Sequence, residues 1–72
     1  MISRGKIVKD EKYWEWVNRR QYIGQIVDLA LSAYFEEGRS IMTICYRFEL
    51  NYGTLSKWIC EVKKLGFVEE VA

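Results

Sequence analysis

The chain has 72 residues, half of them hydrophobic and 15% aromatic, with a formal net charge of +1. That length holds one small domain whose core stabilises it only modestly, so nearly every apolar stretch has to serve the fold or a partner contact. The composition excludes a disordered chain, no run approaches the roughly 20 apolar residues of a membrane span, and the opening MISRGKIVKDEK lacks the apolar stretch of a signal peptide. The expectation is a single cytoplasmic domain over residues 1–72, with no proline, linker or internal repeat to divide it.

In chain order, residues 2–9 contain a short Ile7-Val8 apolar pair flanked by charge, either a tail or a short strand. Asp10 is placed to cap a first short helix carrying Tyr13, Trp14, Trp16 and Val17. Arg19 and Arg20 interrupt its stripe, and Gly24 weakens the helix nearby. A second helix is predicted from about Gln21 to Glu37, with Ile23, Ile26, Val27, Ala30, Leu31 and Tyr34 spaced by three and four, ending at Gly38. Ser40 can cap a third helix, Ile41 to Phe48, whose inner face is Ile41, Ile44, Cys45 and Phe48. The polar tetrad Asn51-Tyr52-Gly53-Thr54 then leads into a fourth helix from Tyr52 to about Leu65, with Leu55, Trp58, Ile59, Val62 and Leu65 inward. Gly66 ends it, and Phe67 to Val71 has the character of a short strand.

Catalysis finds little support. There is no histidine, no nucleophile beside a base, no glycine-rich phosphate loop and no metal-ligand cluster, so neither an enzyme nor a metal or cofactor is expected. Cys45 and Cys60 sit in helical patterns among apolar neighbours and read as small buried thiols in a reducing compartment, not as a disulfide. Glu36-Glu37 and Glu69-Glu70 read as solvated helix-end and tail charges. The basic residues are unevenly placed: from Arg39 to Lys64 there are five (Arg39, Arg47, Lys57, Lys63, Lys64) against two acidic ones (Glu49, Glu61).

That segment carries a resemblance. Ile44 early in the first helix, the small Cys45 after it, Phe48 and Leu50 on either side of the turn, and then Thr54-Leu55-Ser56-Lys57-Trp58 together resemble the two-helix unit of the helix-turn-helix family of DNA-binding proteins. The family commonly has glycine at the first turn position, where this chain has Glu49. TLSKWICEVKKLGFV, running into Leu65-Gly66-Phe67-Val68, is similar to a winged-helix recognition helix entering its first wing strand, and IVDLALSAYFEEGRSIMTI is similar to the family's first core helix. The likeness covers about two-thirds of the chain at superfamily level. It implies an all-α or mostly α, three- to four-helix helix-turn-helix domain with a truncated winged-helix-like C-terminal strand. Too little chain follows that strand for a hairpin wing, so the wing is cut short or the strand pairs elsewhere, Ile7-Val8 being the candidate partner.

With the apolar face inward, the helical period turns Tyr52, Gly53, Ser56, Lys57 and Cys60 outward, and Asn51 caps the helix. As a recognition helix over residues 52–65, this element would present Tyr52, Gly53, Thr54, Ser56 and Lys57 to the major groove of double-stranded DNA. Ser40, Thr43, Arg39 and Arg47 would meet phosphate, and Lys63 and Lys64 would extend the positive edge. Capping explains Ser40 and Asn51 as well as DNA contact does, and the helix dipole explains Lys63 and Lys64.

The first helix leaves a choice. Trp14 and Trp16 cannot face the same way, so one of them, with Tyr13 or Val17, is left exposed, as a homodimer contact from the 1–20 extension or, less favoured, for stacking on a base, unless the helix folds back across the core and buries both. The leading expectation is a small DNA-binding regulator of phage or plasmid type, without a small-molecule effector. The alternatives are a recombination or packaging accessory factor, and a protein-interaction module working through the aromatic N-terminal helix.

Overall fold

The computed structural model describes residues 3–70. Two short strands, β1 (Gly5–Ile7) and β2 (Val68–Glu70), enclose four helices in sequence: α1 (Glu11–Asn18), α2 (Gly24–Phe35), α3 (Ile41–Phe48) and α4 (Tyr52–Lys64). The domain is thus mostly helical with a short C-terminal strand. None of these helices is long and apolar enough to cross a membrane.

Side-chain caps fix three of the helix starts. Asp10 Oδ1 accepts the Tyr13 N–H at 3.0 Å, Ser40 Oγ accepts that of Thr43 at 3.2 Å, and Asn51 Oδ1 accepts that of Gly53 at 2.8 Å. Each satisfies a donor that the first helical turn leaves without an intrahelical partner. The second helix begins later than the apolar spacing suggests. Ile23 holds the position before it with an extended backbone (φ −59°, ψ 125°) and is 67% exposed, so it leaves the core face to Val27, Ala30 and Leu31.

The far end of α2 also departs from the simple stripe. Phe35 is fully buried while Tyr34 is only half-buried, because β1 lies against this end: the Arg4 N–H donates to Phe35 O at 2.6 Å. The Arg4 guanidinium stacks 4.2 Å over the Tyr34 ring and donates to the carbonyls of Tyr34 (2.7 Å) and Arg39 (2.9 Å). The Tyr34 and Phe35 carbonyls, which the helix end leaves open, are satisfied in this way. Glu36, expected as a solvated charge, accepts the Ile7 N–H at 3.3 Å.

The strand after α4 finds the N-terminal partner. β1 and β2 pair antiparallel, with Gly5 opposite Glu70, Lys6 opposite Glu69 and Ile7 opposite Val68. The approach is close enough that a Cβ at Gly5 would lie 2.6 Å from Glu69 O, so only glycine fits. Val71, expected in this strand, lies outside the described residues. Gly66, in the left-handed region at φ 79°, turns the chain out of α4, and the Phe67 N–H closes on Val62 O at 2.9 Å. Phe67 thereby enters the core, and Leu65, expected to face inward, is 55% exposed.

α1 packs back over this junction. The edges of Tyr13 and Trp16 meet Phe67 at ring-centroid distances of 5.9 and 6.5 Å. Tyr13 and Trp16, both anticipated for a subunit contact, are core residues of their own chain, and only Trp14 keeps a partly exposed ring. The Tyr13 hydroxyl donates to Asp28 Oδ1 at 2.8 Å, and Lys9 Nζ lies 3.2 Å from the same oxygen, tying α1 to α2.

Burial, then the hydrogen bond and charge of Asp28, push the Tyr13 phenol far above the ordinary tyrosine range. In the unfolded chain it ionises near its usual value of about 10, so its stabilisation is complete below that pH and is lost as pH climbs above it. Urea unfolding from pH 8 to pH 11 should therefore show a falling midpoint, and Tyr13→Phe should fall less. At pH 8 that variant should be about 1 kcal/mol less stable for the lost hydrogen bond.

Candidate nucleic-acid interface

The junction between α3 and α4 is three residues long, and its shape is set by Glu49. This residue takes the left-handed conformation (φ 55°, ψ 44°) that glycine adopts with less strain. The Leu50 N–H then returns to Cys45 O at 2.9 Å while the Leu50 side chain enters the core. Asn51 follows as cap, so α4 starts directly from the turn with its first residues in solvent.

Leu55, Trp58, Ile59 and Val62 anchor α4 in the core. On the opposite side Gly53, Lys57, Cys60 and Lys64 succeed one another at spacings of four, three and four, all exposed and with no carboxylate among them. Tyr52 is 54% exposed beside the start of this line, Lys63 is exposed beside its end, and Ser56 is half-buried on one flank. Thr54 is half-buried on the other flank, which faces the connection between α1 and α2. Both cysteines are free: Cys60 lies open on the outward line, and half-buried Cys45 has its thiol pushed up by burial.

The residues expected to meet phosphate from α3 are more engaged. The hydroxyls of Ser40 and Thr43 are 2.8 Å apart and bond to each other, besides the cap that Ser40 provides. Arg39 Nε pairs with Glu37 Oε1 at 3.1 Å. Arg47 is exposed, its guanidinium carbon 5.9 Å from the Phe48 ring centroid. Arg39, Thr43 and Arg47 line a groove between α2 and α3 with Leu29. The anticipated residues therefore divide into an α4 surface, where Lys57 and Lys64 form no ion pair among the described residues, and an α3 groove in which Arg39 is already paired.

A set of residues not anticipated as contacts joins the α4 surface. Arg19, Gln21 and Tyr22 from the connection, with Thr54, Lys57 and Trp58 from α4, line an open cleft of about 350 Å³. Arg20 forms its back wall, with Nη1 3.0 Å from Glu61 Oε2 and the guanidinium 4.7 Å over the Trp16 ring. The Tyr22 ring meets Trp58 edge to face at 5.1 Å. Two adjacent arginines breaking an apolar stripe were the available signal. Such residues sit where the helix is about to end, and the next element decides what they face.

No family model, curated protein or solved structure matches the chain.

Two substitutions at the turn should move stability in opposite directions. Asn51→Ala removes the cap and should cost about 1 kcal/mol. Glu49→Gly relieves the left-handed strain, net of the backbone entropy of glycine, and should gain about 0.5 kcal/mol. Thermal unfolding followed by circular dichroism should show the first melting roughly 4–8 °C lower and the second a few degrees higher.

Proposed function

We propose that this domain binds double-stranded DNA as a small regulator, with α4 in the major groove and α3 crossing the backbone beside it. The observation that carries the reading is the outward line Gly53, Lys57, Cys60 and Lys64 on a capped, core-anchored helix. The major groove admits one α-helix, and cationic and hydroxyl side chains on its outer face suit the base edges and phosphates met there. Gly53 allows close approach, Lys57 reaches a guanine edge or a phosphate, and Tyr52 and Ser56 supply hydroxyls beside them. The one carboxylate of α4, Glu61, is held to Arg20 and kept off that line.

The resemblance of residues 41–60 to the helix-turn-helix family supports the same reading, and the left-handed Glu49 supplies the turn conformation usually given to glycine. With β2 paired to β1, DNA contact rests on α4 and its flanks and not on a hairpin wing. A symmetric homodimer reading paired half-sites belongs to this proposal, with Trp14 as the remaining aromatic contact of α1. Recombination or packaging would use the same surface.

A protein-interaction role is the second reading, favoured by one observation. Met42 and Tyr46 on the outer face of α3 are 68% and 89% exposed. With Tyr13 and Trp16 in the core, this face replaces the aromatic N-terminal helix as the working surface in that reading.

Fluorescence anisotropy on a labelled duplex separates the two. Wild-type protein should bind and weaken steeply as salt rises, because phosphate contacts release counterions. Lys57→Glu should abolish binding at moderate salt and leave the fold unchanged. No binding by wild-type protein even at low salt would move attention to Met42 and Tyr46.

A further inference from the structure

We infer that the cleft between the α1–α2 connection and the first half of α4 is a phosphate clamp, which grips a backbone phosphate of the duplex beside the major groove. The inference rests on the DNA reading above and adds a contact made from outside the two-helix unit. Three cations line or back the cleft, Arg19, Arg20 and Lys57, and no carboxylate is among its lining residues. Their roles differ. Arg20 is fixed between Glu61 and the Trp16 ring, so it is a wall whose charge is largely spent inside the protein. Arg19 and Lys57 are exposed and form no ion pair among the described residues.

Like charges brought together by a fold repel one another, and an anion between them relieves that repulsion. Arg19 offers a planar fork suited to two phosphate oxygens, while Lys57 offers a point charge from the α4 side. The Gln21 amide and the Thr54 hydroxyl line the same opening and are polar groups of the kind that complete phosphate coordination. Tyr22 against Trp58 gives the opening a stiff apolar edge, which holds the connection in register with α4. Lys57 thus sits between the outward line of α4 and the cleft, where a phosphate bordering the groove would lie.

A free anion shares this chemistry, so the test has two arms. In the first, wild type, Arg19→Gln and Arg19→Lys are titrated onto two duplexes of unrelated sequence across a salt series. Arg19→Gln should lower the slope of log affinity against log salt by about 0.9, the increment for one phosphate contact, which is roughly eightfold weaker binding near 0.1 M salt. The loss should be equal on both duplexes, because phosphate carries no sequence, and Arg19→Lys should restore the slope. In the second arm, backbone amide shifts of wild-type protein are followed with inorganic phosphate alone, and residues 19–22 and Thr54 should move far less than with duplex.

An unchanged slope and affinity in Arg19→Gln, with Lys57→Glu still losing binding, would overturn the clamp and leave the α4 reading standing. A wild-type protein that binds no duplex would overturn both. Equal movement of these amides with inorganic phosphate would assign the cleft to a free anion and overturn the duplex contact.

Discussion

The closure of the chain on itself through β1 and β2 is the constraint from which the rest of the architecture follows. Six paired residues are a weak sheet by themselves, but their pairing fixes Phe67 at the point where α4 ends and leads the chain from β1 directly into α1. Tyr13 and Trp16 then close over Phe67, and the Trp16 ring becomes the platform on which the Arg20 guanidinium rests. The contact of two chain ends therefore positions a cationic wall that neither end contains. Gly5 is a point of particular sensitivity in this ribbon, because a side chain there would collide with the Glu69 carbonyl.

Where the physics is local, the sequence is legible. The capping side chains of Asp10, Ser40 and Asn51 and the stop at Gly66 act within a few residues of themselves, and the boundaries of α3 and the start of α4 follow from them. The inward faces of α3 and α4 were also legible, since helical period alone selects Ile44, Leu55, Trp58, Ile59 and Val62. The strand partner follows from a different constraint: an apolar strand with nothing beside it needs one, and Ile7-Val8 is the apolar pair left to supply it.

What was not legible depends on contacts between distant segments. Phe35 lies on the flank of the α2 stripe and is buried because β1 covers that flank, which periodicity within α2 cannot reveal. Ile23 fits the stripe by spacing but falls before the helix starts, so its side chain leaves the core. Arg20 and Glu61 are separated by 41 positions, and the ion pair between them ties the α1–α2 connection to α4, where Arg19 and Lys57 line one cleft. As a sequence pattern Arg19-Arg20 is only an interruption. In the fold it is one side of a cleft.

The antiparallel ribbon also gives the domain a mechanical direction. Gly5 lies opposite Glu70, so the two ends of the described chain leave the ribbon side by side. Tension applied between them is met first by the Arg4 attachments to the end of α2 and then loads the hydrogen-bonded rungs one after another, as a zipper is loaded, rather than sharing the force among them. The Phe67 carbonyl, which accepts the Val8 N–H at 2.7 Å, is the last of these attachments, and its release frees the ring that supports Tyr13 and Trp16. Traction on the ends is thus transmitted to the placement of α1, whereas a pull on α3 or α4 acts against the packed core.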